Sequence, residues 1–333
     1  DEAGTLQGPE VLACPRYGFP VAVHGDTIAL GKGFCQGGVA ALPEQVHIFH
    51  YEGSQWVERA RLEAPNTTTA SSFGASVSFD GDRLLVGAPW AQNDLGGAAH
   101  VFRRGGADWK HLATLTPAVG QPDIFFWRSS VLKGEWAFVG ATVADTTGAV
   151  YVFRQNGILW SQSAKLIASD AVSDQRFGWS VRAAQDTLVV GATTFGGQGE
   201  GFPGSAYMFA RQGSSWIEAA KLVPPDGISY DSFGHGVAVN GSLIAVGAPA
   251  TFWQDVSNAG MAYVFQIPPR NCNENDAPDL CDVRDGRATD CNHDDVPDEC
   301  TLTDGTTPDC NHSGVPDECE TLPPFDYDFD GGV

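Results

Sequence analysis

Apolar residues in this chain come in short runs cut by Gly, Asp and Asn, and one arrangement of runs returns five times. "FGASVSFDGDRLLVGAP" begins at Phe73, "FGWSVRAAQDTLVVGAT" at Phe177 and "FGHGVAVNGSLIAVGAP" at Phe233. "YGFPVAVHGDTIALGKG" from Tyr17 and "FWRSSVLKGEWAFVGAT" from Phe126 fit the same frame in degraded form. The starts lie 56, 53, 51 and 56 residues apart. Each copy holds two β-rich segments around a turn, and the "GD" between them suits a tight hairpin. A third segment follows and ends in an aromatic, at Phe49, Phe102, Phe153, Phe209 and Phe265. A fourth has the form W-x5-L: Trp56/Leu62, Trp109/Leu115, Trp160/Leu166 and Trp216/Leu222. Short β-rich segments bounded by turn residues predict strands. Four strands per unit with a period in the fifties predict a propeller blade. No long stretch repeats every 3.6 residues, and no apolar run is long enough to span a membrane as a helix.

The fifth copy lacks its fourth strand, because "QIPPR" after Phe265 breaks any strand. "LQGPEVL", Leu6 to Leu12, has the L-x5-L spacing of the missing piece and runs into Tyr17. The expectation is an all-β, five-bladed β-propeller over 1–268, closed by this N-terminal strand so that no large sheet edge stays open. Residues 269–333 form a separate loop-rich tail.

Composition separates the two parts further. The net charge of −22 is uneven: Asn271 to Val333 carries eighteen acids against two basic residues, net −16, and the body only −6. Such a balance argues against nucleic acid and anionic lipid as partners, since both need basic patches, and favours cations. Six of the eight cysteines sit at 272, 281, 291, 300, 310 and 319, in steps alternating 9 and 10. That regularity predicts a disulfide framework and an oxidising compartment; the C-x8-C spacing does not fit a zinc knuckle. Cys14 and Cys35 lie outside it, at points that emerge on one face of an up-and-down blade, and are expected to pair. The chain starts at Asp1 without Met, from which we expect a removed signal peptide and an extracellular location.

The body resembles the FG-GAP repeats of integrin α-chain-type β-propellers. Phe73-Gly74 with Gly87-Ala88-Pro89, Phe177-Gly178 with Gly191-Ala192, and Phe233-Gly234 with Gly247-Ala248-Pro249 carry the resemblance, over about residues 6–265. It implies a rigid, extracellular, non-catalytic interaction platform. Integrin propellers have seven blades, however, and an acidic D-x-D-x-D-G calcium loop after GAP. The loops here read "WAQNDLGG", "VADTTG", "TFGGQGEGFPG" and "ATFWQDVSNAG", so no calcium site is transferred to the blades.

The tail carries the candidate chemistry. "NCNENDAPDLC", "DCNHDDVPDEC" and "DCNHSGVPDEC" present oxygens at alternating positions, as a calcium loop requires. The first offers Asn271, Asn273, Asn275 and Asp279, with Asp282 at position 12. The second offers Asp290, Asn292, Asp294, the Val296 carbonyl and Asp298, and the third Asp309, Asn311, Ser313, the Val315 carbonyl, Asp317 and Glu320. Acids neutralise the ion, asparagines add oxygen without charge, and cysteines with Pro297 and Pro316 hold loops that have no core. This segment resembles the calcium repeats of thrombospondin type 3 and dockerin-like modules over 271–320. The Asn-rich first loop, and Asp295 where Gly is usual, should weaken binding or alter its geometry. "FDYDFDGGV" adds Asp326, Asp328 and Asp330 as a half-loop, completed by oxygens of the propeller or of a neighbouring subunit unless the sequence stops short of the natural terminus.

Catalytic signals are missing: there is no G-x-S-x-G, H-E-x-x-H or P-loop. His47, His50 and His100 read as satisfied or surface imidazoles on third strands, and His293 and His312 as solvent-facing. His235, near the predicted ring centre, is the one histidine to watch. The recurring tryptophans read as packing residues. Trp90, Phe252 and Trp253 fall in loops and are candidates for a contact surface, and the loop from Asn66 is a conceivable glycosylation site. The expected function is a secreted, non-enzymatic, calcium-binding structural protein, self-assembling through its tail into a filament, tube or surface layer. The alternatives are a cell-surface adhesin or receptor-like module for a protein or glycan and, with no catalytic set to support it, a polysaccharide-active enzyme.

Overall fold

The computed structural model describes residues 17–32, 45–65, 71–89, 97–106, 108–118, 126–193, 204–224, 232–249, 260–267 and 289. The chain divides into two compact units, Asp1–Ala210 with Trp216–Phe265, and Arg211–Ser215 with Gln266–Val333. The expected boundary at 268/269 falls outside the described residues.

Among the described residues the regular structure is all strand apart from one 3-10 turn at Ala144–Thr146, and no helix is long and apolar enough to cross a membrane. Sheet 1 comprises β1 (Tyr17–His24), β2 (Thr27–Lys32), β3 (Gln45–Glu52) and β4 (Gln55–Glu63). Sheet 2 comprises β5 (Ser76–Asp80), β6 (Arg83–Ala88), β7 (Ala98–Gly105) and β8 (Asp108–Leu115). Sheet 3 holds β9 (Phe126–Lys133), β10 (Trp136–Ala141), β11 (Ala149–Asn156) and β12 (Leu159–Leu166). Sheet 4 holds β13 (Phe177–Ala184), β14 (Thr187–Ala192), β15 (Ser205–Gln212) and β16 (Ser215–Leu222). Sheet 5 has three strands, β17 (Gly236–Asn240), β18 (Leu243–Ala248) and β19 (Met261–Gln266). Every sheet runs in chain order, and β1 meets β5, β5 meets β9, β9 meets β13 and β13 meets β17. These are propeller blades, one per sequence repeat. The closing strand Leu6–Leu12 lies outside the described residues.

The turn grammar explains the hairpins. Two residues separate the paired ends His24/Thr27, Asp80/Arg83, Lys133/Trp136, Ala184/Thr187 and Asn240/Leu243. The first turn residue has positive φ each time, which Gly25, Gly81, Gly134 and Gly241 adopt without strain. Sheet 4 puts Gln185 there at φ 49°. Replacing Gln185 by Gly is therefore expected to raise stability by about 0.5–1 kcal/mol, or about 1–3 °C in melting temperature. Unchanged or lowered melting would refute the strain.

Period-two alternation sends successive side chains to opposite neighbours. In β6, Leu84 and Val86 pack with Ile48 and Val46 of sheet 1, while Leu85 packs with Leu132 and Val139 of sheet 3. In β10, Ala137 and Val139 face sheet 2, and Trp136 and Phe138 face Tyr207 and Trp216 of sheet 4. Second strands buried on both faces must read as continuous apolar runs, as "LLVGA" and "WAFVGA" do.

The fourth strands break this alternation. The register between third and fourth strands shifts at Ile48/Phe49, Val101/Phe102 and Val152/Phe153. One extra residue bulges at each point: Arg59, Leu112 and Ser163. Without the bulge, Trp109 and Leu115 would share a face. With it, Trp109 packs towards sheet 1 and Leu115 towards sheet 3. The bulge also brings the residues two and five after each tryptophan onto one face.

Candidate functional site

All of the tail ligands predicted from sequence, Asn271 through Asp330, lie outside the described residues. So do the eight cysteines, Trp90, Phe252, Trp253, Asn66, His293 and His312. Among the described residues, no group of three or more His, Cys, Asp or Glu side chains is placed to hold a metal. Two recurring arrangements remain: the seams between sheets, and a polar station on each third and fourth strand.

Glycines build the seams. Gly31 of sheet 1 lies so close to Gly74 of sheet 2 that a Cβ would sit 2.2 Å from the Gly74 carbonyl oxygen. A Cβ at Gly140 would meet the Gly178 oxygen at 2.0 Å, and one at Gly191 the Gly234 oxygen at 2.0 Å. Gly74, Gly178 and Gly234 themselves have φ between +86° and +93°, a conformation suited to glycine. The aromatic before each of these glycines turns back into its own sheet. Phe73 meets His100 and Phe102 edge-on at 5.6 and 6.0 Å, Phe177 meets Tyr207 and Phe209 at 5.5 and 5.9 Å, and Phe233 meets Tyr263 and Phe265 at 5.4 and 6.1 Å. Each Phe-Gly pair thus anchors its own sheet and receives the glycine of the preceding one. The seam between sheets 2 and 3, where Trp127 follows Phe126, uses side chains instead. Ser76 Oγ lies 2.7 Å from Ser130 Oγ, Ser78 Oγ accepts from the Leu132 N–H, and Arg83 donates to Gln155 at 2.9 Å.

Three stretches match the FG-GAP repeat family, residues 56–102, 160–209 and 216–265. Each begins at the tryptophan of one sheet and ends at the third-strand aromatic of the next, so the FG-GAP unit spans the seam. Residues 109–153, which contain Phe126-Trp127 in place of Phe-Gly, fall between the matched stretches. A 148-residue stretch is 26% identical to human integrin alpha-7, covering 40% of this chain and 12% of that protein. The likeness therefore spans a small part of the integrin.

The polar stations come from aligned positions of each repeat. In sheet 1, His47 Nδ1 lies 2.6 Å from Glu58 Oε1, and Glu58 also accepts from Arg61 at 2.7 Å. Burial holds the His47 imidazole below its ordinary range despite Glu58, while the Arg61 hydrogen bond leads in keeping Glu58 below the usual carboxylate range. His50, 3.4 Å from Thr27, is lowered by burial and then by Arg104. In sheet 3, Lys165 reaches Asp145 and lies 5.5 Å over the Tyr151 ring. In sheet 4, Lys221 bonds Asp170, and Tyr207 donates to Asp170 at 2.7 Å. Burial works to raise Asp170, but the hydrogen bonds from Lys221 and Tyr207 outweigh it. Burial, then Asp170, pushes the Tyr207 hydroxyl well above its ordinary range. The sheet 2 station contains His100, His111 and Thr114 within 3.4 Å of one another.

The expectation that His47 and His50 are satisfied imidazoles holds. His100 is buried with Nδ1 partnered, whereas its Nε2 has no partner. His235 is half-buried, its ring 5.5 Å from that of Trp179, over which Arg176 lies at 5.9 Å. The tryptophans pack as expected: Trp216 stands edge-on to Phe138 at 4.9 Å and Trp109 meets Phe79 at 6.0 Å. Sequence reading missed His111, Thr114, Lys165 and Lys221. Aligning the fourth segments on their tryptophans reveals them, because positions two and five after Trp read Glu/Arg, His/Thr, Gln/Lys and Glu/Lys in turn.

Proposed function

We propose that this protein is a secreted, calcium-binding structural protein without enzymatic activity. In this reading five FG-GAP sheets, closed by Leu6–Leu12, form a rigid platform, and the tail binds calcium and joins one subunit to the next in an extracellular filament, tube or surface layer. The observation that carries the proposal is the threefold, phase-locked pattern of oxygens and cysteines from Asn271 to Glu320, joined to an FG-GAP body. Calcium takes six to eight oxygens, and alternating side chains of a tight loop deliver them. Without an ion, the net −16 of the tail repels itself. Closure rests on the L-x5-L spacing of Leu6–Leu12, the fourth segment that the fifth repeat itself lacks in sequence.

Calcium titration of the full chain by calorimetry tests the ion sites. The second and third loops carry the fuller ligand sets, so at least two binding events are expected, and the D290N/D294N/D309N/D317N variant should lose them. No binding heat, or binding unchanged in that variant, would remove calcium from the account. The likeness to a stretch of integrin alpha-7 favours a second reading, a cell-surface module that binds a protein or glycan. In that reading calcium stiffens the tail but does not link subunits.

A further inference from the structure

We propose that sheet 2 carries a site for a divalent transition metal of the zinc–copper class, held by His100 Nδ1 and His111 Nε2 and independent of the tail. The repeats themselves point to it. At the position five after the tryptophan, sheets 1, 3 and 4 carry Arg61, Lys165 and Lys221, each paired with a carboxylate: Glu58, Asp145 and Asp170. A fixed cation at that point repels a metal ion. Sheet 2 has Thr114 there, and two imidazoles occupy the positions that hold His47/Glu58 in sheet 1 and Tyr207/Glu218 in sheet 4. Among the four described stations, the one without its cation is thus the one with two nitrogen ligands.

The spacing suits a metal. His100 Nδ1 and His111 Nε2 are 3.4 Å apart, and Thr114 Oγ1 lies 3.2 Å from each. Direct N–H hydrogen bonds to oxygen centre near about 2.9–3.0 Å, so 3.4 Å is long for one. Two zinc–nitrogen bonds of about 2.0–2.1 Å at a tetrahedral angle place their nitrogens about 3.3–3.4 Å apart. The rings are held before any ion arrives: Phe73 stands edge-on to His100 at 5.6 Å and Phe102 to His111 at 5.3 Å. His111 and Thr114 are exposed on β8, the outermost strand, so an ion enters from solvent and water fills its remaining positions. Imidazole nitrogen suits zinc, copper and nickel rather than calcium.

The test is zinc titration of the full chain in saturating calcium, with copper(II) electron paramagnetic resonance as a second readout. The variants are H111A and T114K; the latter installs the residue that sheets 3 and 4 already carry, and K110A is the control. Wild type and K110A should bind one more zinc than H111A and T114K, or bind it at least about tenfold more tightly. The wild-type copper spectrum should show coupling to two imidazole nitrogens that both variants lose. If wild type, H111A and T114K bind zinc with the same stoichiometry and affinity and give the same copper spectrum, the site does not exist.

Discussion

Replacing Gly191 by Ala is expected to cost about 3 kcal/mol of stability and about 6–12 °C of melting temperature, although it adds a single methyl group. The Cβ would lie 2.0 Å from the Gly234 carbonyl oxygen and 2.3 Å from Ser180 Oγ, and Ser180 Oγ donates to that same carbonyl at 2.8 Å. Relief requires sheets 4 and 5 to separate along the seam where β13 and β14 meet β17. Gly140→Ala should behave alike, since its Cβ meets the Gly178 oxygen at 2.0 Å. Gly87→Ala should be milder, about 1–2 kcal/mol, because its Cβ meets the Ser76 hydroxyl, a group that can rotate at the expense of its bond to Ser130. Gly236→Ala is the control: nothing lies within 4 Å of its Cβ, and a change within about 0.5 kcal/mol is expected. Denaturant melts of the four variants check the order. Equal effects for Gly191→Ala and Gly236→Ala would show that the Phe-Gly to Gly-Ala seam does not hold the sheets together.

Acid should destabilise the propeller before its carboxylates protonate. His47, His50, His100 and His111 all have folded values below the ordinary 6.5 chiefly through lost hydration, the first three because they are buried and His111, although exposed at the surface, because its ring packs against those of Phe102 and His100; His100 falls to about 4. A lowered folded value means that the unfolded chain takes up protons first as pH drops. Stability is therefore fullest above pH about 6.5, declines as pH falls from there, and levels off for His100 below about 4. His100 alone accounts for about 3 kcal/mol over that window. Urea melts of the metal-free protein, in chelator, should show the decline. His100→Tyr, which copies Tyr151 and Tyr207 at the same repeat position, should flatten it whatever its effect on stability at neutral pH. A slope between pH 6.5 and 4 that is unchanged in this variant would contradict the burial argument.

Much of this fold can be read from local grammar. A glycine before Asp marks a positive-φ turn, and an apolar run such as "LLVGA" marks a strand covered on both sides. Trp followed by Leu six residues later marks the fourth strand. The bulges at Arg59, Leu112 and Ser163 escape such reading, because an extra residue leaves the spacing of the apolar positions intact while reversing which neighbour each one faces. The seams escape it too. Gly31 meets Gly74 and Gly191 meets Gly234, partners from different repeats that only the stacking of sheets brings together. The sheet 2 histidine pair was hidden for a related reason: His111 looks like one surface residue until the bulge places it and Thr114 beside His100. The tail is the reverse case. Its oxygen spacing is plain in sequence, since loop ligands depend on local order along the chain, but its structure lies outside the described residues.

Mass and shape in solution test the central claim most directly. Light scattering and electron microscopy of the full chain, in millimolar calcium and then in chelator, should show polymers that fall apart when calcium is removed. A monomer under both conditions would contradict assembly through the tail and leave a binding module whose calcium serves only its own stalk.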